Sequence, residues 1–463
     1  MSRKKIANET WVLGGTLYLQ TGGKNTRVSH PEVIRANLRL IDGRIDAITQ
    51  RLPRRLGKGV TQIDAHGLTL FPGFVQAHVH LCQTLFRNRA DDLELLDWLS
   101  KRIWPMEAAH TAETLHASAL LGIHELLSSG TTCILDMGTV RHTEAILDAV
   151  KTSGIRASVG KCLMDHPRTT PLSLREATDS ALAEAQALHR EWHGRENDRI
   201  RVSYAPRFVV SCTERLLTEV GRLAYEQGAV IHTHASENLK EIQLVKKLVH
   251  CENVEYLHQL GLTSPSLVLA HCVWLKPNEK SILAKTGTHV VHCPSSNMKL
   301  ASGLAHIPDL RARGINVALG ADGAPCNNHL DMFSEMRMAA LIHKPGAGPR
   351  AMRAQEVLDM ATMGGARALS WSDQIGSIEV GKKADFVALD LRTPTNWIPE
   401  KSALNPETIA SAVVYSSTPA EVRWTMVDGQ TLFRNGKVST IPTEGLMRQV
   451  EWAERVIARK IKS

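Results

Sequence analysis

No run of about 18 or more apolar residues occurs in the 463-residue chain, so no segment is a candidate membrane-spanning helix. The stretch Met1–Asn8 has charges but no apolar region or small-residue cleavage site, and a secretory signal is not expected. The eight cysteines stand singly, with no C-x-x-C pair and no dense framework. They are expected to be reduced thiols of a cytoplasmic protein. The formal net charge is +8, yet the basic residues are not gathered into a stripe. Small clusters such as Arg51–Arg55 and the C-terminal tail read as solvated faces. Neither a nucleic-acid nor a membrane partner is expected. Solenoid-type repeats and low-complexity segments are also missing.

What is present is a change of pattern along the chain. The first 70 or so residues read as short strands, Trp11–Leu19, Val33–Ile41 and Arg44–Ile48, with a turn at Asp42–Gly43. A second strand-rich stretch near the other end contains Ala384–Leu389, Val422–Val427 and Gln430–Arg434, with turns at Asp428–Gly429 and Asn435–Gly436. Between them, short apolar runs alternate with helical segments. The strand candidates are Phe74–Val79, Thr131–Leu135, Ala157–Cys162, Arg201–Ala205, Val230–His234, Leu267–His271, Val290–Cys293 and Val317–Gly320. Helices are expected at Ala112–Ser128, Leu174–Trp192, Glu214–Glu226, Leu239–Leu248 and Pro277–Ala284. Eight such repeats predict an α/β fold, a (β/α)₈ TIM barrel; a doubly wound open sheet is the alternative. The outer strands predict a small β-sandwich built from both chain ends. The expected division is 1–71 and 374–442 for the sandwich, 72–373 for the barrel and 443–463 for a terminal helix. On that helix Leu446, Val450, Ala453 and Ile457 share one face.

The strongest local signal is Phe71–His80, which reads FPGFVQAHVH. Alternate residues on a strand face the same side, so His78 and His80 can both point into a barrel. Two imidazoles on one face suit zinc or iron. Three further strands end in possible ligands or proton carriers: His234 with Glu237 three residues on, His271, and Asp322.

These segments resemble the amidohydrolase superfamily, and within it the branch that deaminates nucleobases and nucleosides. The resemblance includes Phe71–His80, Ser129–Thr132, His234–Glu237, His292–Asn297 (HCPSSN), Gly320–Gly323 and Gly376–Asp385 (GSIEVGKKAD). It implies one divalent metal ion per chain, Zn²⁺ with Fe²⁺ as the alternative, held by His78, His80, His234 and Asp322. It implies Glu237 as proton shuttle, Asp322 as proton acceptor and His271 as hydrogen-bond partner of the attacking water or of the substrate. Two-metal members bridge their ions with a lysine on the fourth strand, and Arg201–Ala205 has none. Lys161 lies on an earlier strand and reads as structural or substrate-adjacent. His232, alternating with His234, reads as a packed core histidine. The H-x-E…P-C-x-x-C signature of the unrelated cysteine-ligated deaminases is absent.

The implied chemistry is hydrolytic removal of a ring amino group as ammonia. Gln83–Trp98 with Ile103–Glu107, and the long segment Gly320–Lys344, resemble deaminases of 5′-deoxyadenosine, 5′-methylthioadenosine and S-adenosylhomocysteine. There the glutamate matching Glu107 binds the ribose hydroxyls. Pro206–Cys212 (PRFVVSC) resembles guanine deaminases instead, with Arg207 and Gln83 reading the purine ring. The expected substrate is therefore a 5′-modified adenosine, with guanine second and s-triazines third. A non-catalytic relative that keeps only the fold is the remaining alternative. The expected partner is a small purine nucleoside or base, and the resemblance implies a homo-oligomer, dimer or tetramer.

Overall fold

The structure is a computed structural model and describes residues 8–20, 31–52, 56–57 and 59–462. Most of Met1–Asn8 and three positions of the Arg51–Arg55 cluster lie outside the described residues. The chain opens with strands β1 (Glu9–Gln20), β2 (Pro31–Ile41), β3 (Arg44–Thr49), β4 (Thr61–Asp64) and β5 (Thr69–Pro72). Eight strands follow: β6 (Phe74–Val79), β7 (Thr131–Thr139), β8 (Arg156–Leu163), β9 (Ile200–Pro206), β10 (Ile231–Ala235), β11 (Leu267–His271), β12 (His289–His292) and β13 (Val317–Leu319). Four more close the chain: β14 (Phe386–Leu389), β15 (Val422–Val427), β16 (Gln430–Arg434) and β17 (Lys437–Val438).

Strands β6 to β13 pair in parallel in sequence order. The ring is completed by a parallel bridge between Val79 and Asp322, where the Asp322 amide donates to the His78 carbonyl at 3.0 Å. This is the barrel, and the open-sheet alternative falls with that bridge. Strands β6, β7, β8, β11, β12 and β13 are buried at every position. Parallel strands covered on both faces have no polar face to show, which is why they read in the sequence as continuous apolar runs.

The strands from the chain ends form one mixed sheet, ordered β17-β16-β15-β14-β5-β1-β2-β3 with β4 beside β1. They share a small apolar core that includes Leu17, Leu38, Leu70, Phe386 and Trp424. The three hairpin turns have positive φ at both central residues: 48° and 78° at Asp42 and Gly43, 52° and 78° at Asp428 and Gly429, 48° and 82° at Asn435 and Gly436. This backbone matches the strand twist and favours Asp-Gly and Asn-Gly.

One helix starts later than expected, at Thr178 instead of Leu174. Residues 174–177 form a loop, with the Glu176 amide on the Met164 carbonyl (3.0 Å) and the Glu176 carboxylate on Lys161 Nζ (2.8 Å). The terminal helix Thr443–Lys462 buries Leu446, Val450, Ala453 and Ile457. Glu454 on it also pairs with Arg89, just after β6, at 2.6 Å. No helix among the described residues is long and apolar enough to cross a membrane.

Candidate active site

The strand ends of β6, β10, β11 and β13 converge at one end of the barrel, where barrel enzymes carry their chemistry. Alternation on β6 turns His78 and His80 the same way, and the closing bridge sets Asp322 beside them. His78 Nε2 lies 3.2 Å and His80 Nε2 3.3 Å from Asp322 Oδ1. His80 Nε2 and His234 Nε2 are 3.3 Å apart. One ligand atom from each of His78, His80, His234 and Asp322 lies within 4.8 Å of the others. Asp322 has φ 64° and His271 φ 73°, backbone that non-glycine residues adopt at a cost and that clusters at functional sites.

The neighbours of the rings decide which nitrogen faces the centre. His234 Nδ1 donates to the Arg207 carbonyl at 2.6 Å, leaving Nε2 with its lone pair inward. His271 Nδ1 sits 2.9 Å from Asn297 Oδ1. His78 Nδ1 sits 2.8 Å from His232 Nε2. His232 is therefore more than the packed core histidine expected of it: it touches a ring of the site. His78 Nε2 is buried without a hydrogen-bond partner. An orphaned imidazole nitrogen beside two more and a carboxylate is a donor set that fits a divalent metal ion.

The carboxylates differ in charge state. Burial pushes the Asp322 carboxyl up, but His78 and His80 outweigh it and hold it well below the ordinary range. Asp322 also accepts from Ser296 Oγ (2.7 Å) and the Gly323 amide (2.8 Å). Glu237 is raised, by burial first and by the Asp322 charge in addition, against the opposing influence of His271. Its carboxylate receives a hydrogen bond from Ser302 Oγ at 3.3 Å and lies 3.6 Å from His271 Nε2. One carboxyl is thus biased towards the ionised form and its neighbour towards the protonated form, an arrangement suited to moving a proton.

A cavity opens over this centre. His80, His234, Glu237, His271 and Asp322 form its polar floor. Leu95, Trp98, Leu99, Phe208 and Leu300 form an apolar wall, and Gln83, Arg207 and Glu241 complete the lining. Glu107 lies behind the wall, buried and bonded to Arg207 and Gln83. Lys161 is not among the residues lining the cavity: its Nζ meets Glu176 at 2.8 Å and Glu184 at 3.2 Å. Sequence reasoning missed contacts made by Ser296, Asn297, Ser302 and Glu241. The first two lie in the HCPSSN segment, and Glu241 follows Glu237 by one helical turn, which was the available signal.

The fold and site define a barrel enzyme whose strand ends carry a candidate centre of three histidines and one aspartate. The amidohydrolase family matches residues 69–432, and the chain belongs to that family. It is a hydrolase of the deaminating kind, acting on C–N bonds. The 5′-deoxyadenosine deaminase of Methanothermobacter thermautotrophicus is 38% identical over 449 residues, 96% of this chain and 98% of its own length. The 5-methylthioadenosine/S-adenosylhomocysteine deaminase of Nitratidesulfovibrio vulgaris is 40% identical over 425 residues, 91% and 92% of the two chains. Among solved structures, an adenosine deaminase from Xanthomonas campestris with bound zinc superposes with a TM-score of 0.86 at 29% identity, covering 97% of this chain and 98% of that one. The guanine deaminase of E. coli gives a TM-score of 0.81 at 26% identity, covering 92% and 100%.

Proposed function

We propose that this chain removes the 6-amino group of 5′-deoxyadenosine or a related 5′-modified adenosine, methylthioadenosine or S-adenosylhomocysteine, giving the inosine analogue and ammonia. The carrying observation is the set His78, His80, His234, Glu237, His271 and Asp322 around one cavity, in a chain similar over almost its whole length to deaminases of such nucleosides. His78, His80, His234 and Asp322 would hold the metal, and zinc in the Xanthomonas campestris structure supports that ion, with Fe²⁺ as the alternative. When bound, such an ion makes water a nucleophile at neutral pH.

The chain's own groups handle the protons. The water oxygen bonds to C6, and ring N1 takes a proton there. Glu237, biased towards its protonated form, is the donor. Asp322, biased towards its ionised form, accepts from the water. The C6–N bond then breaks, the second water proton leaves with the amine as ammonia, and the proton held by Asp322 replaces the one Glu237 gave. His271, its Nδ1 tied to Asn297, turns Nε2 towards the reacting oxygen. The apolar wall limits bulk water around the ring. The eight thiols are all free, in keeping with a reducing cytoplasm. A homo-oligomer with no nucleic-acid or membrane partner completes the reading.

Guanine conversion to xanthine is the second reading, because Arg207 and Gln83 line the cavity. An ammonia-release screen separates the two. It compares 5′-deoxyadenosine, methylthioadenosine, S-adenosylhomocysteine, adenosine, guanine and melamine on the metal-loaded enzyme. The expected result is the highest kcat/KM on a 5′-modified adenosine. A guanine rate far above every nucleoside would replace this reading with the second.

A further inference from the structure

The resemblance set Glu107 against the sugar and Gln83 with Arg207 against the ring. In the structure the three are one hydrogen-bonded unit. Arg207 Nη1 meets Glu107 Oε2 at 2.6 Å and Nη2 meets Oε1 at 3.1 Å, and Gln83 Nε2 donates to the same Oε1 at 2.8 Å. All three side chains are buried. Only Gln83 and Arg207 reach the cavity. We propose that Glu107 is a positioning residue, one that stays off the substrate and holds Gln83 and Arg207 as an adjoining acceptor and donor for it.

The chemistry of the three groups leaves little freedom. Burial pushes the Glu107 carboxyl up, but Arg207 outweighs it and the group stays ionised. An ionised carboxylate only accepts, so Gln83 must aim its NH₂ at Glu107 and turn its carbonyl away. That Oε1 atom is buried and has no hydrogen-bond partner. It lies over Gly323, where an added Cβ would stand 2.1 Å from it, so the glycine keeps the space open. A guanidinium has five N–H donors, and the fork to Glu107 occupies two. The unit therefore offers a substrate one unfilled acceptor, Gln83 Oε1, beside the remaining donors of Arg207. A matching substrate edge carries an O–H or N–H donor next to a lone-pair nitrogen. In a 5′-modified adenosine, and resting on that reading, the pair is the 2′-hydroxyl beside ring N3, with the 3′-hydroxyl unread.

The test uses metal-loaded enzyme, with kcat and KM measured separately and metal content checked. Wild type is expected to lose about tenfold or more in kcat/KM on 2′,5′-dideoxyadenosine and to stay within about threefold on 3′,5′-dideoxyadenosine. Glu107→Ala and Arg207→Ala are expected to be non-additive, the double variant being no worse than Arg207→Ala alone. Gly323→Ala, which keeps every charge, is expected to displace Gln83 and raise KM about tenfold with metal retained, and to add nothing to Gln83→Ala. Equal losses on both dideoxy substrates with additive Glu107 and Arg207 effects would overturn the proposal in favour of a diol contact. So would Gly323→Ala with wild-type KM. If wild type prefers guanine, the nucleoside reading fails while the positioning role stays testable. Guanine has no diol, so non-additivity of Glu107→Ala and Arg207→Ala on guanine supports the role, and a neutral Glu107→Ala overturns it.

Discussion

His232 Nε2 lies 2.8 Å from His78 Nδ1, with both rings fully buried. His78 can offer the Nε2 lone pair to a metal only when its proton sits on Nδ1, and His232 Nε2 is the acceptor that keeps it there. Such outer partners typically contribute 10–100-fold in metal affinity. His232→Leu should weaken zinc binding about tenfold or more in competition with a chromophoric chelator. His232→Gln, whose carbonyl can accept the same hydrogen bond, should stay within a few-fold of wild type. Equal affinity in the leucine variant would remove His232 from the site.

Glu237→Gln should retain the metal and slow deamination by at least about a hundredfold, the usual contribution of one general acid. Raised by burial, the Glu237 carboxyl keeps its proton to a higher pH than a free glutamate does, and glutamine cannot donate in its place. Near-normal turnover with metal content unchanged would move the proton transfer to another group.

Metal analysis of chelator-stripped, reconstituted protein should give one ion per chain. Lys161 has no part in it, because its ammonium is committed to Glu176 and Glu184. Lys161→Met should keep that content and kcat within about twofold. It should lower stability by about 1–3 kcal/mol, less than a fully buried pair loses, because both carboxylates remain partly solvated. Two ions per chain, or metal loss in Lys161→Met, would contradict the one-ion site.

Glu241 accepts from the Glu237 amide at 3.0 Å and from Asn253 Nδ2 at 2.5 Å, so it ties down the loop that carries Glu237. Burial, and then the charge of Glu237, pushes its carboxyl up to about 8 from the ordinary 4.5. The folded chain therefore holds a proton that the unfolded chain has released, and unfolding releases it between these values. Stability from this group is full below about pH 4.5 and is lost as pH rises towards 8. Glu241→Gln should flatten the fall in Tm between pH 5 and 8, gaining about 2 °C or more relative to wild type over that window. Parallel Tm profiles would show that Glu241 titrates alike in both states.

Local patterns in the sequence were enough for the barrel strands, the Asp-Gly and Asn-Gly hairpins and the H-x-H pair. Each depends on neighbours within a few residues: backbone alternation puts His78 and His80 on one side, and positive φ selects the turn residues. Their places at strand ends nominated His234, His271 and Asp322 as well, and the resemblance then supplied their roles. Only the closed barrel could bring Asp322 to within 3.3 Å of His80, because the Val79–Asp322 bridge joins the first barrel strand to the end of the last. Tertiary structure also decided what Glu107 touches. A carboxylate 100 residues from its arginine shows no spacing that a sequence could display, and its pairing with Arg207 exists only because the segment after β6 and the end of β9 pack together at the cavity wall. His232 went the same way: alternation placed it on the inward face, but whether it would pack against carbon or meet an imidazole nitrogen depended on which ring β6 set opposite it.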